Sequence, residues 1–157
     1  MPNHTVNTVK LKGIGKADLY TLDRRFNKNG DEYFDFNKLV PEPKTKEECP
    51  PEFIDHGNCH LQHDDGREWF NWYDWHCCFW GTKWNSYWLE KIDDDTISFT
   101  TAWSEPEPIW KALSEKFQDK ELDIHAEYED GLETWSRWLN GERMDLMTKE
   151  YASELIF

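Results

Sequence analysis

Apolar and polar side chains alternate most regularly between residues 122 and 129. Every second position there is apolar or aromatic, namely Leu122, Ile124, Ala126 and Tyr128. The positions between them carry acidic or histidine side chains, and a period of two is typical of a strand with one buried face. The same period recurs in a second segment, at Ile97, Phe99, Thr101 and Trp103. We therefore predict strands at 96–103 and 122–129.

Turn and capping residues mark the ends of the other elements. The acidic turn at 93–95 joins residues 87–92 to the strand at 96–103 as a hairpin. Asn140-Gly141 suits a type I′ turn and predicts a second hairpin over residues 135–147. Ser104 and Glu107 have the spacing of a capping box, which predicts that a helix begins there. The remaining segments with regular patterns are strands at 5–12 and 33–36, and helices at 16–25 and about 67–79.

Helices and antiparallel strands alternate along the chain. This order is typical of an α+β fold, in which helices cover one face of an antiparallel sheet. The 157 residues suffice for one core and are too few for two full domains, so we predict a single domain over residues 1–157. A long polar loop at 44–66 interrupts this domain, and residues 134–157 add a hairpin at its C-terminal end.

The acidic residues are concentrated in one part of the chain. The whole chain has a net charge of −14, and residues 90–133 alone hold 14 acidic and 4 basic side chains. Such a chain repels nucleic acids and anionic lipids. The cluster is either a device for solubility or a surface that imitates the phosphate row of a duplex. For the second interpretation, the expected partner-binding residues are Asp93, Asp94, Asp95, Glu105, Glu107, Glu127, Glu129 and Asp130.

No segment has the apolar length of a transmembrane helix, and the first residues lack the apolar core of a signal peptide. We therefore expect a cytoplasmic protein that does not bind membranes. In that compartment the four cysteines are expected to be reduced thiols.

Two groups of residues have side chains that suit a metal site or proton transfer. Cys49, His56, Cys59 and His63 are residue types that zinc prefers, but the tight Cys-x-x-Cys spacing is absent. We expect free thiols and no bound metal or cofactor, with a zinc-stabilised structural domain as an alternative. His125 shares one strand face with Glu127 and Glu129, which fits either a general base or a solvated face; we expect the latter. Motifs for nucleotide, zinc-protease or hydrolase chemistry are absent, so we do not expect an enzyme.

The sequence from Trp80 to Asn85 is rich in aromatic and turn-forming residues. It consists of Trp80, Gly81, Thr82, Lys83, Trp84 and Asn85, and Trp103 lies downstream. We expect Gly81 to let the chain leave a helix, and Trp80 and Trp84 to fill the gap between helix and sheet. The alternative is an aromatic recognition platform on which Lys83 contacts an anion.

An ordered set of motifs resembles a known family. The motifs are MPNH at the N-terminus, FDFNKLVPEP at 34–43, NWYDWHCCFWGTKWN at 71–85 and TAWSEPEP at 101–108. Together they resemble the YubB-like ferredoxin-like family of phages and plasmids, whose function is unknown, over about residues 1–130. The resemblance implies a ferredoxin-like core and a mobile-element origin, and it assigns no catalytic residues. The Cys and His residues of the 44–66 loop and the 134–157 segment depart from it.

These observations lead to a functional hypothesis. We expect a non-enzymatic protein of a mobile element that acts in the bacterial cytoplasm. It would inhibit a host nucleic-acid-binding defence protein, such as a CRISPR effector, by occupying its basic groove as a DNA mimic, without binding nucleic acid itself. The alternative is a module that sequesters a small molecule or nucleotide. That module needs a local basic pocket, for which the available side chains are Lys83, Arg67, Arg24 and Arg25.

Overall fold

A six-stranded antiparallel sheet forms the centre of the protein. The computed structural model describes residues 3–12, 24–26, 30–54 and 66–145. The strands are β1 (His4–Leu11), β2 (Arg24–Phe26), β3 (Glu32–Phe34), β4 (Tyr87–Asp93), β5 (Thr96–Ala102), β6 (Leu122–Tyr128), β7 (Glu133–Leu139) and β8 (Glu142–Asp145). Two helices are described, α1 (Trp72–Phe79) and α2 (Glu107–Lys116). Short 3₁₀ turns cover Phe36–Lys38, Lys46–Glu48 and Pro51–Phe53.

The strand order of the main sheet is β4-β5-β1-β6-β7-β8, while β2 and β3 form a separate two-stranded sheet. β1 lies in the middle and pairs antiparallel with both β5 and β6. α1 precedes the β4–β5 hairpin, and α2 connects β5 to β6. This order is the ferredoxin-like α+β arrangement that the sequence resemblance implies. The C-terminal hairpin of β7 and β8 extends the same sheet beyond β6.

Alternation within the strands determines which sheet face is buried. Val9 and Leu11 of β1, Phe99 of β5 and Ile124 of β6 are fully buried on one face, under Trp110 and the other buried side chains of α2. Aromatic rings supply much of this core, since the rings of Phe34 and Phe99 stack with their centroids 5.3 Å apart. We call the opposite face of the sheet, which α2 does not cover, the outer face.

Several predicted elements are confirmed. The β4–β5 hairpin turns at residues 93–95, and the inward positions Leu122, Ile124 and Ala126 of β6 are buried. Asn140 and Gly141 connect β7 to β8 with φ angles of 50° and 86°, as a type I′ turn requires. Because these signals act between neighbours in the chain, the local sequence is sufficient to predict them.

Other predicted boundaries are wrong. Ser104 does not form a capping box, because its hydroxyl donates to the carbonyl oxygen of Gly81, and α2 begins after Pro106 without a side-chain cap. The predicted strand at 33–36 ends at Phe34, and the helix at 67–79 begins only at Trp72. Of the helix predicted at 16–25, the last two residues lie in β2, and the rest is outside the described residues, as are residues 55–65 of the long loop.

Candidate binding surface

The sheet separates the acidic residues of the predicted partner surface into two groups. Asp93, Asp94 and Asp95 form the β4–β5 turn at the end of the sheet where Leu11 of β1 donates its N–H to the carbonyl oxygen of Asp95. Glu129 follows β6 at the opposite end. A strand rises about 3.3 Å per residue, so the length of β6 places these groups about 20 Å apart. The acidic residues therefore do not form one continuous patch.

Glu105 does not belong to either group, and its predicted role in partner binding is wrong. Its side chain is only 5% exposed. One carboxylate oxygen accepts from Trp110 Nε1 at 3.2 Å, and the other accepts from the hydroxyls of Tyr128 at 3.1 Å and Thr134 at 2.6 Å. Burial, followed by the charge of Glu105, raises the pKa of Tyr128 to about 12. Glu105 is thus an internal link between α2, β6 and β7.

Asp123 is a second acidic side chain that the structure buries. The alternation of β6 predicts that it faces solvent, yet it is fully buried on the outer face. Arg137 of β7 covers it with bonds of 2.7 and 3.1 Å to the two carboxylate oxygens, and Lys12 Nζ lies 3.0 Å away. Glu107 is half-buried at the start of α2, where it pairs with Arg143. These acids are largely neutralised within the protein.

The exposed acids of the predicted partner surface outside the 93–95 turn lie at the end of the sheet where β6 finishes. Glu127, Glu129 and Asp130 are exposed, and we call them the acidic rim. Glu129 accepts the backbone N–H of His4 at 2.6 Å, and the His4 ring lies 4.9 Å from the ring of Trp88. The acidic rim therefore continues directly into an aromatic region.

Three exposed tryptophans lie at this end of the sheet, and we call them the indole patch. Trp88 contacts His4, while the backbone N–H of Trp103 donates to the carbonyl oxygen of Asn3, the neighbour of His4 in the chain. Trp84, Trp88 and Trp103 are 39%, 65% and 43% exposed. Trp88 and Trp103 have φ angles of 55° and 74°, a backbone region that is unfavourable for bulky side chains. Such strain must be offset by the surrounding fold and is most frequent at binding sites.

Lys83 connects two members of the indole patch. Its Nζ lies 4.6 Å from the ring centroid of Trp84 and 4.9 Å from that of Trp103. Tyr73 of α1 packs edge-on against Trp103 with the ring centroids 6.0 Å apart. The ammonium group of Lys83 therefore joins two indoles into one surface, an arrangement that cation–π attraction stabilises.

The other residues of the segment from Trp80 to Asn85 have structural roles. Trp80 is 1% exposed and donates Nε1–H to the carbonyl oxygen of Val40 at 2.8 Å. Thr82 donates to the carbonyl oxygen of Ala102 at 2.6 Å, and Asn85 accepts the backbone N–H of Phe36 at 3.0 Å. The expectation that Trp84 also fills the gap between helix and sheet is wrong, because its indole reaches the surface.

Gly81 takes a conformation that side chains rarely adopt, with φ of 76°. A Cβ atom at this position would lie 2.8 Å from Cδ of Pro108 at the start of α2. The glycine therefore both ends α1 and allows the N-terminal turn of α2 to pack against it, as the sequence predicts for the exit from a helix.

The ring of His76 in α1 lies among the rings of Trp72, Trp75 and Trp80. It stacks on Trp80 with centroids 4.0 Å apart. One ring nitrogen faces the carbonyl oxygen of Lys83 at 2.7 Å, and the other faces a carboxylate oxygen of Glu42 at 2.9 Å. Because both partners are acceptors, both contacts are hydrogen bonds only when the His76–Glu42 pair holds an additional proton.

Of the four basic residues available for a nucleotide pocket, the structure describes the side chains of Arg67 and Lys83. Arg67 donates to the carbonyl oxygen of Pro43 and to Glu42, whereas the ammonium group of Lys83 lies over the rings of Trp84 and Trp103. Arg24 and Arg25 belong to β2, and their side chains are outside the described residues. Sequence reasoning missed Lys38 and Lys44, which lie with Arg67 around a cleft of about 560 Å³.

The cysteine residues of the predicted zinc alternative are only partly described. Cys49 is 5% exposed, and burial raises the pKa of its thiol. His56, Cys59 and His63 lie outside the described residues. Cys77 and Cys78 are exposed on α1 as free thiols.

The group around His125 differs from the predicted one. His125 Nε2 lies 3.2 Å from a carboxylate oxygen of Glu133 and 4.0 Å from one of Glu127. Glu129 instead binds the backbone of His4. Glu133 was missed because it comes from β7, and only the register between β6 and β7 places it opposite Glu127.

Comparison with known proteins supports the fold. Residues 83–154 match the model of a family described as "Ferredoxin-like domain in Api92-like protein". The match includes β7 and β8, whereas the resemblance seen in the sequence did not extend to the 134–157 segment. No curated protein and no solved structure matches the chain. Within the described ranges, no helix is long and apolar enough to cross a membrane. The chain thus has an α+β fold with a ferredoxin-like antiparallel sheet.

Proposed function

We propose that the protein is a non-enzymatic inhibitor, carried by a phage or plasmid related to the YubB-like family, that occupies the basic groove of a host nucleic-acid-binding defence protein. The observation that carries this proposal is the continuity of the acidic rim with the indole patch, through Glu129, His4 and Trp88. CRISPR effectors are one class of host protein with such a groove. The site of action would be the bacterial cytoplasm.

The acidic rim and the indole patch would contribute differently to partner binding. Exposed carboxylates on the acidic rim would attract a positively charged groove and speed the encounter, with strong salt dependence. The indoles of Trp88 and Trp103 would supply most of the affinity, because buried tryptophans are frequent hot spots in protein interfaces. The strained backbone at both positions is the expected sign of side chains held in place for contact.

The acidic turn at 93–95 would contribute little to this contact. It lies about 20 Å from the acidic rim, whereas the Debye length at physiological ionic strength is about 8 Å. Its charges are therefore screened from a partner that docks on the indole patch.

The test is a pull-down from bacterial host lysate at low salt, with duplex DNA as competitor. We expect capture of a basic nucleic-acid-binding protein that DNA displaces. The purified partner is then tested against Glu129→Gln/Asp130→Asn, which keeps the hydrogen-bond acceptors and removes two charges. Its matched control is Asp93→Asn/Asp94→Asn at the opposite end of the sheet.

The rim variant should bind about tenfold more weakly at low salt, and the turn variant should bind like the wild type. Trp88→Ala should also lose about tenfold or more, at any salt concentration. A captured partner that DNA does not displace contradicts occupation of a nucleic-acid groove. Equal effects of the rim and turn variants contradict the assignment of the contact surface.

The second candidate function is sequestration of a small anionic ligand such as a nucleotide. One observation favours it: Lys38, Lys44 and Arg67 line the same cleft of about 560 Å³, although Asp35 and Glu42 line it too. Titration with nucleotides, monitored by tryptophan fluorescence, tests this candidate. Saturable binding that Lys38→Gln/Lys44→Gln abolishes would support it, and an unchanged signal would remove it.

A further inference from the structure

We propose that His125, Glu127 and Glu133 form a binding site for a divalent transition-metal ion of the zinc type on the outer face of the sheet. Among the described residues, these three offer one ligand atom each, and the three atoms lie within 4.8 Å of one another. The site shares Glu127 with the acidic rim, but the inference does not rest on the proposed inhibitor function, because metal binding requires no partner protein.

The spacing of the ligand atoms is close to that of a zinc site. Zinc binds histidine nitrogen and carboxylate oxygen at about 2.0–2.2 Å, so two ligands of a tetrahedral site lie roughly 3.4 Å apart. The 3.2 Å between His125 Nε2 and Glu133 Oε1 already fits this value. Glu127 Oε1 lies 4.0 Å from the same nitrogen, and its side chain is 52% exposed, so a small rotation closes the gap.

The strand register explains why the two carboxylates face each other. Glu127 of β6 pairs directly with Glu133 of β7. Like charges in directly opposed positions of a sheet repel each other and destabilise the pairing. A cation between them converts this repulsion into attraction, so the arrangement is favourable when the site holds a divalent ion.

The histidine ring is held in place by its cross-strand neighbour. His125 pairs with Trp135, and their rings stack with centroids 4.7 Å apart and an angle of 12° between the planes. His125 is 15% exposed, so the ring is largely fixed while Nε2 remains beside the two carboxylates. A preorganised nitrogen ligand lowers the entropy lost when the metal binds.

The ligand chemistry selects the type of ion. Imidazole nitrogen suits Zn²⁺, Co²⁺ and Ni²⁺, whereas Mg²⁺ and Ca²⁺ prefer sites made of oxygen ligands alone. Three protein ligands leave a fourth position of a tetrahedral zinc site open to water or to another ligand. We therefore expect Zn²⁺ to bind and Mg²⁺ to bind far more weakly.

Calorimetric titration of the full chain with Zn²⁺ tests the site. Because cysteine and histidine side chains elsewhere in the chain can also bind Zn²⁺, the comparison is made between variants. Glu133→Gln should weaken Zn²⁺ binding at this site by at least about tenfold, and His125→Gln should abolish it. Glu129→Gln is the matched control, because it is the same substitution at the same end of the sheet, outside the group.

Co²⁺ supplies a second readout. Co²⁺ at this site should give absorption bands of nitrogen and oxygen ligation without thiolate charge transfer, and His125→Gln should remove these bands. Circular dichroism verifies that each variant is folded. Zn²⁺ titrations that are the same in wild type, Glu133→Gln and Glu129→Gln would overturn the proposal, as would cobalt bands that have the same intensity in His125→Gln as in the wild type.

Discussion

Replacement of Glu105 by alanine removes the carboxylate that connects α2, β6 and β7. Three donors lose their acceptor at once, namely Trp110 Nε1 and the hydroxyls of Tyr128 and Thr134. The three donors differ in what they can do afterwards. Trp110 is fully buried and has no access to water, whereas the other two side chains are half-buried and their hydroxyls can rotate.

The cost follows from these environments. A buried donor without a partner costs about 1–3 kcal/mol, and each rotating hydroxyl loses roughly 0.5–1 kcal/mol of net hydrogen-bond energy. Removing a buried carboxylate also removes the cost of its desolvation, which offsets part of the loss. We therefore expect Glu105→Ala to lower the free energy of unfolding by about 3 kcal/mol, which is a large fraction of the stability of a typical domain.

Urea denaturation monitored by tryptophan fluorescence measures this loss. With a slope of about 2 kcal/mol per molar urea, the midpoint should fall by about 1.5 M. Glu107→Ala is the control, because Glu107 is two residues away and its ion pair with Arg143 is partly exposed, so its loss should cost no more than about 1 kcal/mol. A midpoint for Glu105→Ala that lies as close to wild type as that of Glu107→Ala would refute the structural role of Glu105.

Three further predictions follow from the structure. Gly81→Ala should lower the free energy of unfolding by about 3 kcal/mol, measured by thermal or urea unfolding, because the new Cβ meets the ring of Pro108. Gly131→Ala is the control: its φ is similar and no atom lies near the new Cβ, so it should lower the free energy of unfolding by only about 1 kcal/mol. The pKa of Tyr128 is raised to about 12, so the folded protein favours the neutral phenol. This preference adds at most about 2.7 kcal/mol to the free energy of unfolding below pH 10, and the contribution is lost as the pH rises from 10 to 12. Urea unfolding across this range should show a smaller decline in Tyr128→Phe. Asp123→Ala should lower the free energy of unfolding by about 2–3 kcal/mol, because Arg137 and Lys12 lose a fully buried carboxylate while Arg137 keeps Glu121 at 3.7 Å; a loss under 1 kcal/mol would contradict this assignment.

The sequence was sufficient where a signal depends on neighbours in the chain. The alternation at 122–126 and the Asn140-Gly141 turn both act over a few residues, so their predicted structures are confirmed. Ser104 shows the limit of such reasoning. Its spacing to Glu107 fits a capping box, but a carbonyl oxygen 23 residues earlier in the chain takes its hydroxyl instead.

The candidate surface was harder to predict, because its geometry depends on contacts between residues that lie far apart in the chain. Counting charges identified the acidic segment, but only the strand register shows that Asp94 and Glu129 lie at opposite ends of the sheet. Burial of Glu105 depends on donors from β6 and β7, which no local pattern reveals. The aromatic segment from Trp80 to Asn85 is apparent in the sequence, but its tryptophans differ in exposure: Trp80 lies in the core and Trp84 at the surface.

The irregularity of β4 has a consequence for self-association. β4 is the outermost described strand on its side of the sheet, and its register with β5 shifts twice, once on each side of the Glu90–Lys91 pair. A straight outer strand offers a row of unpaired N–H and C=O groups on which another copy can add a strand, and this is a route to aggregation. The positive φ of Trp88 bends the row of N–H and C=O groups along β4, and the charged residues Glu90 and Lys91 follow Trp88 in the strand. The residue that displays an indole at the surface therefore also discourages copies of the chain from polymerising edge to edge.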